Sequence, residues 1–360
     1  MMTKLDLPNG SLMIPERKGI TPDLLGWSGL FVQDYFNESR SFPKVENDIS
    51  LELAVLRPQE GVVNVLTGTS DLTITGGDWV REIGLNPDYR GLEAELLCDL
   101  DYGQVSLVPV VRQDLGVEDF TDFLIKSVEE GVYPICGVSE KPFLAAQLIY
   151  DHVKGNKRLR DHFGLEEPII KFPVEVGAYV DNRNKGLVIL KSEGRTEDKI
   201  VRGEYAGDKV HWGYEVEQSG ETIKSHGLKV LETDTEKVTS EAGLYAGPSV
   251  AEGTDRRWEA EVIRDLLSGA RELGKDLRRD HYVPVGLAVP SERVEDLEEH
   301  IRNKPGVYRN GITAINPQRE KGYVALSREI RAGKRWEEMG ELYRDFDVVG
   351  FNYLTNFSRD

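Results

Sequence analysis

"SDLTITGGDWV", residues 70–80, reads as a buried strand that ends in a glycine pair. The stretches around it supply the partners such a strand needs. Upstream, "LELAVLRP" (51–58) reads as a helix or a strand edge, and downstream "QVSLVPVV" (104–111) reads as a further strand. A helix-like "VEDFTDFLIKSVEEG" (117–131) follows, then "VYPICGVS" (132–139) as strand. "KPFLAAQLIYDHVKG" (141–155) carries apolar residues at helical spacing, and "PIIKFPVEVGAYV" (168–180) returns to strand. Strands that alternate with helices imply an α/β sheet.

Beyond residue 180 the pattern changes. Residues 181–210 are polar and glycine-punctuated around "GLVIL", which reads as strand plus loop. "RRWEAEVIRDLLSGARELGKDLRRD" (256–280) is a long amphipathic helix crowded with Arg and Glu, suited to connecting domains. The tail from 281 separates from the rest. "HYVPVGLAV" reads as a strand, and "SERVEDLEEHI" as a helix with Ser291 as N-cap and Glu295 near its first turn. "GITAINP" and "GYVALSREI" read as two strands joined by a polar turn, "RWEEMGELYRDF" as a helix and "DVVGFNYL" as a last strand. The order βαββαβ is that of the ferredoxin-like split unit.

A chain of 360 residues is too long for one typical core, so two or three domains are expected. Apolar residues make up 39%, enough to fold. The net charge of −18, from 45 Lys and Arg against 63 Asp and Glu, argues against a nucleic-acid binder, which would show basic stripes. Any anionic ligand must then be held by local backbone donors, a few cations or a metal. No run approaches a membrane span and the N-terminus lacks a signal-peptide core, so a cytoplasmic protein without a membrane partner is expected. Cys98 and Cys136 exclude a disulfide framework and a cysteine-rich zinc site, and read as buried and inert.

"HWGYEVEQSGETIKSHG" (211–227) sets two carboxylates ahead of a Ser-Gly-x-Thr turn and a basic, helix-like stretch. Two readings stand side by side: an acidic, solvated strand end with an ordinary turn, or a cradle for a phosphorylated sugar. For the cradle, backbone N–H groups of Ser219 to Thr222 and the Thr222 hydroxyl could hold a phosphate. Glu215 could accept hydrogen bonds from sugar hydroxyls. His211 could serve as a base or as a structural residue.

Taken in order, several segments resemble the long form of the ATP phosphoribosyltransferase family of histidine biosynthesis. These are "LPNGSLMIP" (7–15), "LRPQE" (56–60), "DLTITGGDW" (71–79), "LDYGQVSLV" (100–108), "SEKPFLAAQLIYDH" (139–152) and "QSGETIKSHGLKVLE" (218–232). The resemblance implies a two-lobed core of the type-II periplasmic-binding-protein sort with a C-terminal ferredoxin-like domain. The expected borders are 1–108 with 228–255 for lobe I, 109–227 for lobe II, 256–280 for a connecting helix and 281–360 for the regulatory or oligomerisation domain.

The resemblance also implies a glycosyltransferase reaction: transfer of the phosphoribosyl group of phosphoribosyl pyrophosphate to a ring nitrogen of ATP, releasing pyrophosphate. Glu215, Gln218, Ser219, Gly220, Glu221 and Thr222 would bind the donor, with Glu215 catalytic at an oxocarbenium-like centre. Asn9, Gly10, Ser11, Arg57, Thr75, Gly76, Asp78 and Trp79 would face the acceptor, although a glycine turn and a packed Trp explain the last pair equally well. Mg²⁺ would neutralise the pyrophosphate, held mainly by substrate, and no protein ligand for it is assigned. A homo-oligomer, dimer or hexamer, with a histidine-like effector at the tail, completes what the resemblance implies.

Most departures from the family pattern fall on the acceptor side. Asn9 and Ser11 flank Gly10 where Lys and Arg are usual, Ser106 stands where an Arg is usual, and Ser139-Glu140-Lys141-Pro142 keeps part of a Thr-Glu-Tyr-Pro segment. His211 replaces an acidic residue. Lost cations weaken a triphosphate most, unless Arg17, Lys18, Arg57 or Lys141 compensate. Two rivals therefore stand beside the ATP enzyme: the same donor with a less anionic heteroaromatic acceptor, and a catalytically silent two-lobed binding or regulatory subunit.

Overall fold

A computed structural model describes residues 2–13, 20–30, 32–33, 35, 44–45, 51–165, 168–171, 186–217, 221–250, 255–277, 282–304, 308–316, 323–331, 342, 345–346 and 351–352. In chain order the first half runs β1 (Thr3–Pro8), α1 (Thr21–Trp27), β2 (Val32–Gln33), β3 (Lys44–Val45), β4 (Leu51–Leu56), α2 (Pro58–Thr67) and β5 (Leu72–Gly76). It continues with α3 (Gly77–Gly84), β6 (Glu95–Asp99), β7 (Val105–Arg112), α4 (Phe120–Glu129), β8 (Ile135–Ser139), α5 (Pro142–Gly155) and α6 (Lys157–Phe163). Then come β9 (Ile169–Lys171), β10 (Leu187–Lys191), α7 (Thr196–Arg202), β11 (Glu204–Tyr205), β12 (Asp208–Lys209), β13 (Trp212–Glu217), α8 (Glu221–Ser225), β14 (Leu228–Val230), β15 (Thr239–Ser240) and β16 (Ala242–Ala246). The chain closes with α9 (Asp255–Leu277), β17 (Tyr282–Pro290), α10 (Val294–Arg302), β18 (Tyr308–Asn316), β19 (Tyr323–Arg331) and β20 (Phe351–Asn352).

Two mixed sheets build the core. The first has the order β4-β1-β5-β16-β6, with β4, β1 and β5 parallel and β16 antiparallel to its neighbours. The second has the order β14-β7-β13-β8-β10-β9, with β15 also paired to β7. Each residue of β5 is buried, as expected of a strand covered on both faces. "LELAVL" resolves its ambiguity as strand β4, because its neighbour β1 pairs with it along the full length.

The chain passes between the sheets twice, between β6 and β7 and again between β15 and β16, which gives a two-lobed core. These crossings correct the expected borders. Residues 105–108 pair with β13 and β15, and 228–230 pair with β7, so both belong with the second sheet rather than with lobe I. The reason is the antiparallel ladder of β7, which takes up its whole length on one sheet. A second correction concerns residues 181–210. Where strand plus loop was expected, Thr196–Arg202 forms α7 and residues 204–209 form a small hairpin, β11 with β12.

The second sheet packs its helices over a core that includes Phe120, Leu124, Ile149, Ile189 and Trp212. Trp212 is fully buried, and its ring lies 4.7 Å from that of Phe120. Its indole crosses β8 so closely that a Cβ on Gly137 would meet it at 2.4 Å, so only glycine fits there.

The chain forms two compact units, Met1–Ile20 with Asp34–Arg264, and Thr21–Gln33 with Asp265–Asp360. The long helix α9 therefore spans the division, and Thr21–Gln33 joins the C-terminal unit instead of lobe I. Within that unit the four strands run in the order β18-β19-β17-β20, all antiparallel. The chain enters α10 through a one-turn 3₁₀ helix, Ser291–Arg293, and Arg293 occupies the N-cap position. Ser291 is thus not the cap, while Glu295 does lie in the first turn. Most of "RWEEMGELYRDF" lies outside the described residues. Among the described residues, no helix is long and apolar enough to cross a membrane.

Candidate active site

Three parallel strands bring the acceptor-side residues together. Pro8 lies beside Leu56, and the pairing of Asp6 with Thr73 carries Thr75 to the same level. The segments after β1, β4 and β5 therefore gather at one carboxyl edge, where open α/β sheets take ligands. Asn9 donates its N–H to the Leu56 carbonyl at 2.8 Å, and Gly10 follows at φ +71°. That left-handed backbone, with open space where a Cβ would stand, lets the chain turn into the 3₁₀ helix Gly10–Leu12, which contains Ser11. Arg57 precedes Pro58 at the start of α2, donates its N–H to the Glu60 carboxylate at 3.0 Å and is exposed. The buried Thr75 donates its hydroxyl to the Pro58 carbonyl at 3.1 Å, fixing that helix start.

A second carboxyl edge comes from β8, β10 and β13, which are mutually parallel. The pairing of Gly213 with Val138 puts Glu215 level with Glu140. Around them the loop after β10 is tied down. Glu140 accepts the Gly194 N–H at 2.7 Å, and the Lys199 ammonium donates to Ser192 Oγ at 2.5 Å and to the Gly194 carbonyl at 2.8 Å. Lys199 also lies 4.2 Å from the centre of the Tyr205 ring.

Glu215 joins this network only in part, through a hydrogen bond with Thr196. One of its carboxylate oxygens is buried and has no hydrogen-bond partner among the described residues. Burial first, and then the negative charges of Glu197 and Glu140, push its carboxyl up to about 8, against the opposing pull of Thr196 and Lys141. A native protein seldom buries an unmet acceptor without a use for it. Gln218, Ser219 and Gly220, immediately beyond β13, lie outside the described residues. Glu221 and Thr222 open α8, so the segment leads from the strand end into a single helical turn.

The two edges meet through charged side chains. On α3 the buried residues are Asp78 and Glu82, four apart and so on one face. Asp78 pairs with Lys141 from the start of α5, at 2.9 Å, with both side chains buried. Ser240 donates to the other Asp78 oxygen at 2.8 Å and accepts the Asp78 N–H at 2.9 Å. The Lys141 ammonium also lies 4.0 Å from the centre of the Trp79 ring. One turn along, Glu82 accepts the N–H groups of Phe143 and Leu144 at 3.1 and 2.8 Å, capping α5 from the opposite lobe. Burial pushes the Glu82 carboxyl up to about 7, although these N–H bonds favour its charged form. Sequence reading missed Glu82. The spacing of Asp78 and Glu82 was the available signal, but helical spacing gives no partner.

These contacts assign several open alternatives. Lys141 is committed to Asp78 and Trp79, which leaves it no free approach to a phosphate. Arg17 and Lys18 lie outside the described residues. His211 accepts the Cys136 N–H on Nδ1 at 3.0 Å, and burial lowers its basicity, which is the structural reading of that residue. Cys136 is buried as expected, whereas Cys98 is half-buried. Among the described residues, no group of three His, Cys, Asp or Glu side chains is arranged to hold a metal.

Two α/β lobes crossed twice by the chain, with strand carboxyl edges joined by buried ion pairing, define a two-lobed α/β core. No protein-family profile matches the chain. Its sequence is nonetheless 25% identical over 298 residues to the ATP phosphoribosyltransferase of Solidesulfovibrio magneticus, covering 81% of this chain and 78% of that protein. It is 26% identical over 298 residues to the ATP phosphoribosyltransferase of Nitratidesulfovibrio vulgaris, covering 83% and 80%. The chain is a divergent relative of the ATP phosphoribosyltransferases, as the ordered motifs indicated, and this places it among glycosyltransferase-class enzymes. Among solved structures it is similar to the ATP phosphoribosyl transferase (HisG:HisZ) complex from Thermotoga maritima, with TM-score 0.48, 13% identity and coverage of 76% and 100%. It is also similar to the arginine-, lysine-, histidine-binding protein ArtJ of Geobacillus stearothermophilus, with TM-score 0.39, 10% identity and coverage of 77% and 93%.

Proposed function

We propose that the protein transfers the phosphoribosyl group of phosphoribosyl pyrophosphate to a ring nitrogen of ATP, releasing pyrophosphate. The observation that carries this reading is Glu215: a buried carboxylate with an unmet oxygen, at the strand end that leads into the Ser-Gly-x-Thr segment. The backbone of Ser219 to Thr222 would hold the 5-phosphate, and Gln218 and Glu221 would flank it. Glu215 would meet the ribose hydroxyls, and its unmet oxygen gives them an acceptor. As the bond to pyrophosphate breaks, positive charge develops on the sugar ring, and an ionised Glu215 nearby stabilises it. The same charge favours the ionised form of a carboxyl that burial otherwise holds protonated.

The departing pyrophosphate would carry Mg²⁺ with it as part of the substrate, and the ion would supply neutralising charge there. No protein ligand for it is assigned, in keeping with the lack, among the described residues, of any group of three His, Cys, Asp or Glu side chains arranged to hold a metal. Pyrophosphate is a good leaving group, so no side chain of this chain has to deliver a proton to it.

A second reading keeps the donor and replaces ATP with a less anionic heteroaromatic base. The pairing of Lys141 with Asp78 favours it, because a cation that could compensate for Asn9, Ser11 and Ser106 is already engaged. For the C-terminal unit, the strand order β18-β19-β17-β20 supports a ferredoxin-like module that serves homo-oligomer assembly or takes a histidine-like effector. Pyrophosphate release from phosphoribosyl pyrophosphate, measured with ATP and with uncharged purines and pyrimidines, tests both readings. Brisk release with ATP supports the first and release with an uncharged base alone supports the second. No release with any acceptor, despite donor binding, supports a silent subunit.

A further inference from the structure

Behind the Asp78–Lys141 pair, a cavity of about 340 Å³ opens along the seam between α3 and α5, closed on a third side by residues 235–238. We infer that this cavity is a binding site for a small zwitterion with an apolar side chain, of the size of an aliphatic α-amino acid. The inference is independent of the donor-loop reading, because it uses none of those residues.

Three features of the lining point to that ligand. Tyr214, only 3% exposed, lines the cavity, and its hydroxyl has no hydrogen-bond partner among the described residues. Burial raises the Tyr214 phenol, while the positive charge of Arg81 opposes that shift, so guanidinium and hydroxyl act on the same space. Arg81 itself makes no ion pair among the described residues. An arginine beside a free phenol presents donors that match a carboxylate.

Negative charge lines the same cavity from other elements. Asp151 on α5 is hydrogen-bonded to Gln147 at 2.8 Å and keeps acceptor capacity, and Glu236 comes from the third side. Both suit an ammonium group. Between the two polar ends Leu144 and Leu148 provide the apolar wall, and the volume falls at the small end of natural ligand sites. A plain carboxylate would leave the acids unmatched, and a plain amine would leave Arg81 and Tyr214 unmatched.

The test uses the full chain and three probes of one shape: L-leucine, isovalerate, which lacks the ammonium, and isoamylamine, which lacks the carboxylate. Calorimetric titration and thermal shift at up to about 10 mM ligand would read a site of modest affinity. The expected result is binding of L-leucine, with each truncated probe weaker by roughly tenfold or more. Arg81→Met, at an exposed position, should weaken L-leucine by a similar factor, while Glu236→Gln should weaken it without changing isovalerate. The inference is overturned if L-leucine gives neither heat nor a thermal shift, if isovalerate or isoamylamine binds as well as L-leucine, or if Arg81→Met binds L-leucine like the unaltered chain. Binding that persists in Gly220→Val and in the presence of saturating phosphoribosyl pyrophosphate would separate this site from the donor site.

Discussion

Lys141→Met should unsettle the seam between the lobes more than any surface charge change. The substitution keeps the length and apolar stem of the side chain but removes its ammonium. Asp78 is then left with a side-chain exposure of 6%, one hydroxyl donor from Ser240 and no cation. Breaking a buried pair on one side costs about 3–5 kcal/mol, because the remaining charge stays desolvated. Loss of the ammonium over Trp79 adds about 0.5–2 kcal/mol. The Ser240 bond offsets part of the first figure, so about 4 kcal/mol is expected, close to three decades in the folding equilibrium. Urea unfolding followed by tryptophan fluorescence reads this directly as a shift in midpoint at unchanged m-value. The double variant Asp78→Asn/Lys141→Met removes the stranded charge and should recover roughly half of the loss or more. A loss below about 1 kcal/mol for Lys141→Met, the scale of an exposed pair, would refute the buried seam. So would a double variant no more stable than the single one.

Glu82 predicts a pH dependence. Its folded carboxyl titrates near 7 rather than 4.5, so between these values the folded chain holds a proton that the unfolded chain has released. Stability from this group is full below about pH 4.5 and falls by roughly 3 kcal/mol as pH rises to 7, and Glu82→Gln should flatten that slope in urea midpoints measured against pH. At the donor site, Gly220→Val should abolish binding of phosphoribosyl pyrophosphate by crowding the backbone, while Glu215→Gln should slow pyrophosphate release at least a hundredfold, or about 2.7 kcal/mol, with little change in donor affinity. Normal affinity and turnover in both would remove the cradle. Deletion of residues 281–360 should leave the two-sheet unit folded by hydrogen exchange while changing the mass of the assembly in light scattering, and loss of protection in β5 and β8 would count against that division.

Local pattern alone carried the element types across most of the core. β5, α4, β8, α5 and β10 were legible because burial imposes period-2, period-3.6 or unbroken apolar runs on the residues themselves. The ordered motifs likewise carried the relationship to the ATP phosphoribosyltransferases. Residues 181–210 resisted, because "TEDKIVR" has too few apolar positions to mark α7, whose buried members are Thr196 and Ile200. The tertiary structure decided everything that depends on partners far apart in the chain. Asp78 and Lys141 are separated by 62 intervening residues, and nothing in either local sequence shows that the two charges meet out of water. Glu82 drew no notice in the sequence, because the N–H groups it caps belong to Phe143 and Leu144 on α5. The borders of the lobes shifted because ladder pairing, which selects one sheet for the whole of β7, is a property of the neighbouring strands and not of β7 itself. Glu215 could be named from its place before the Ser-Gly-x-Thr turn, but its unmet oxygen and raised carboxyl exist only because Glu140, Glu197 and the burying walls fold around it.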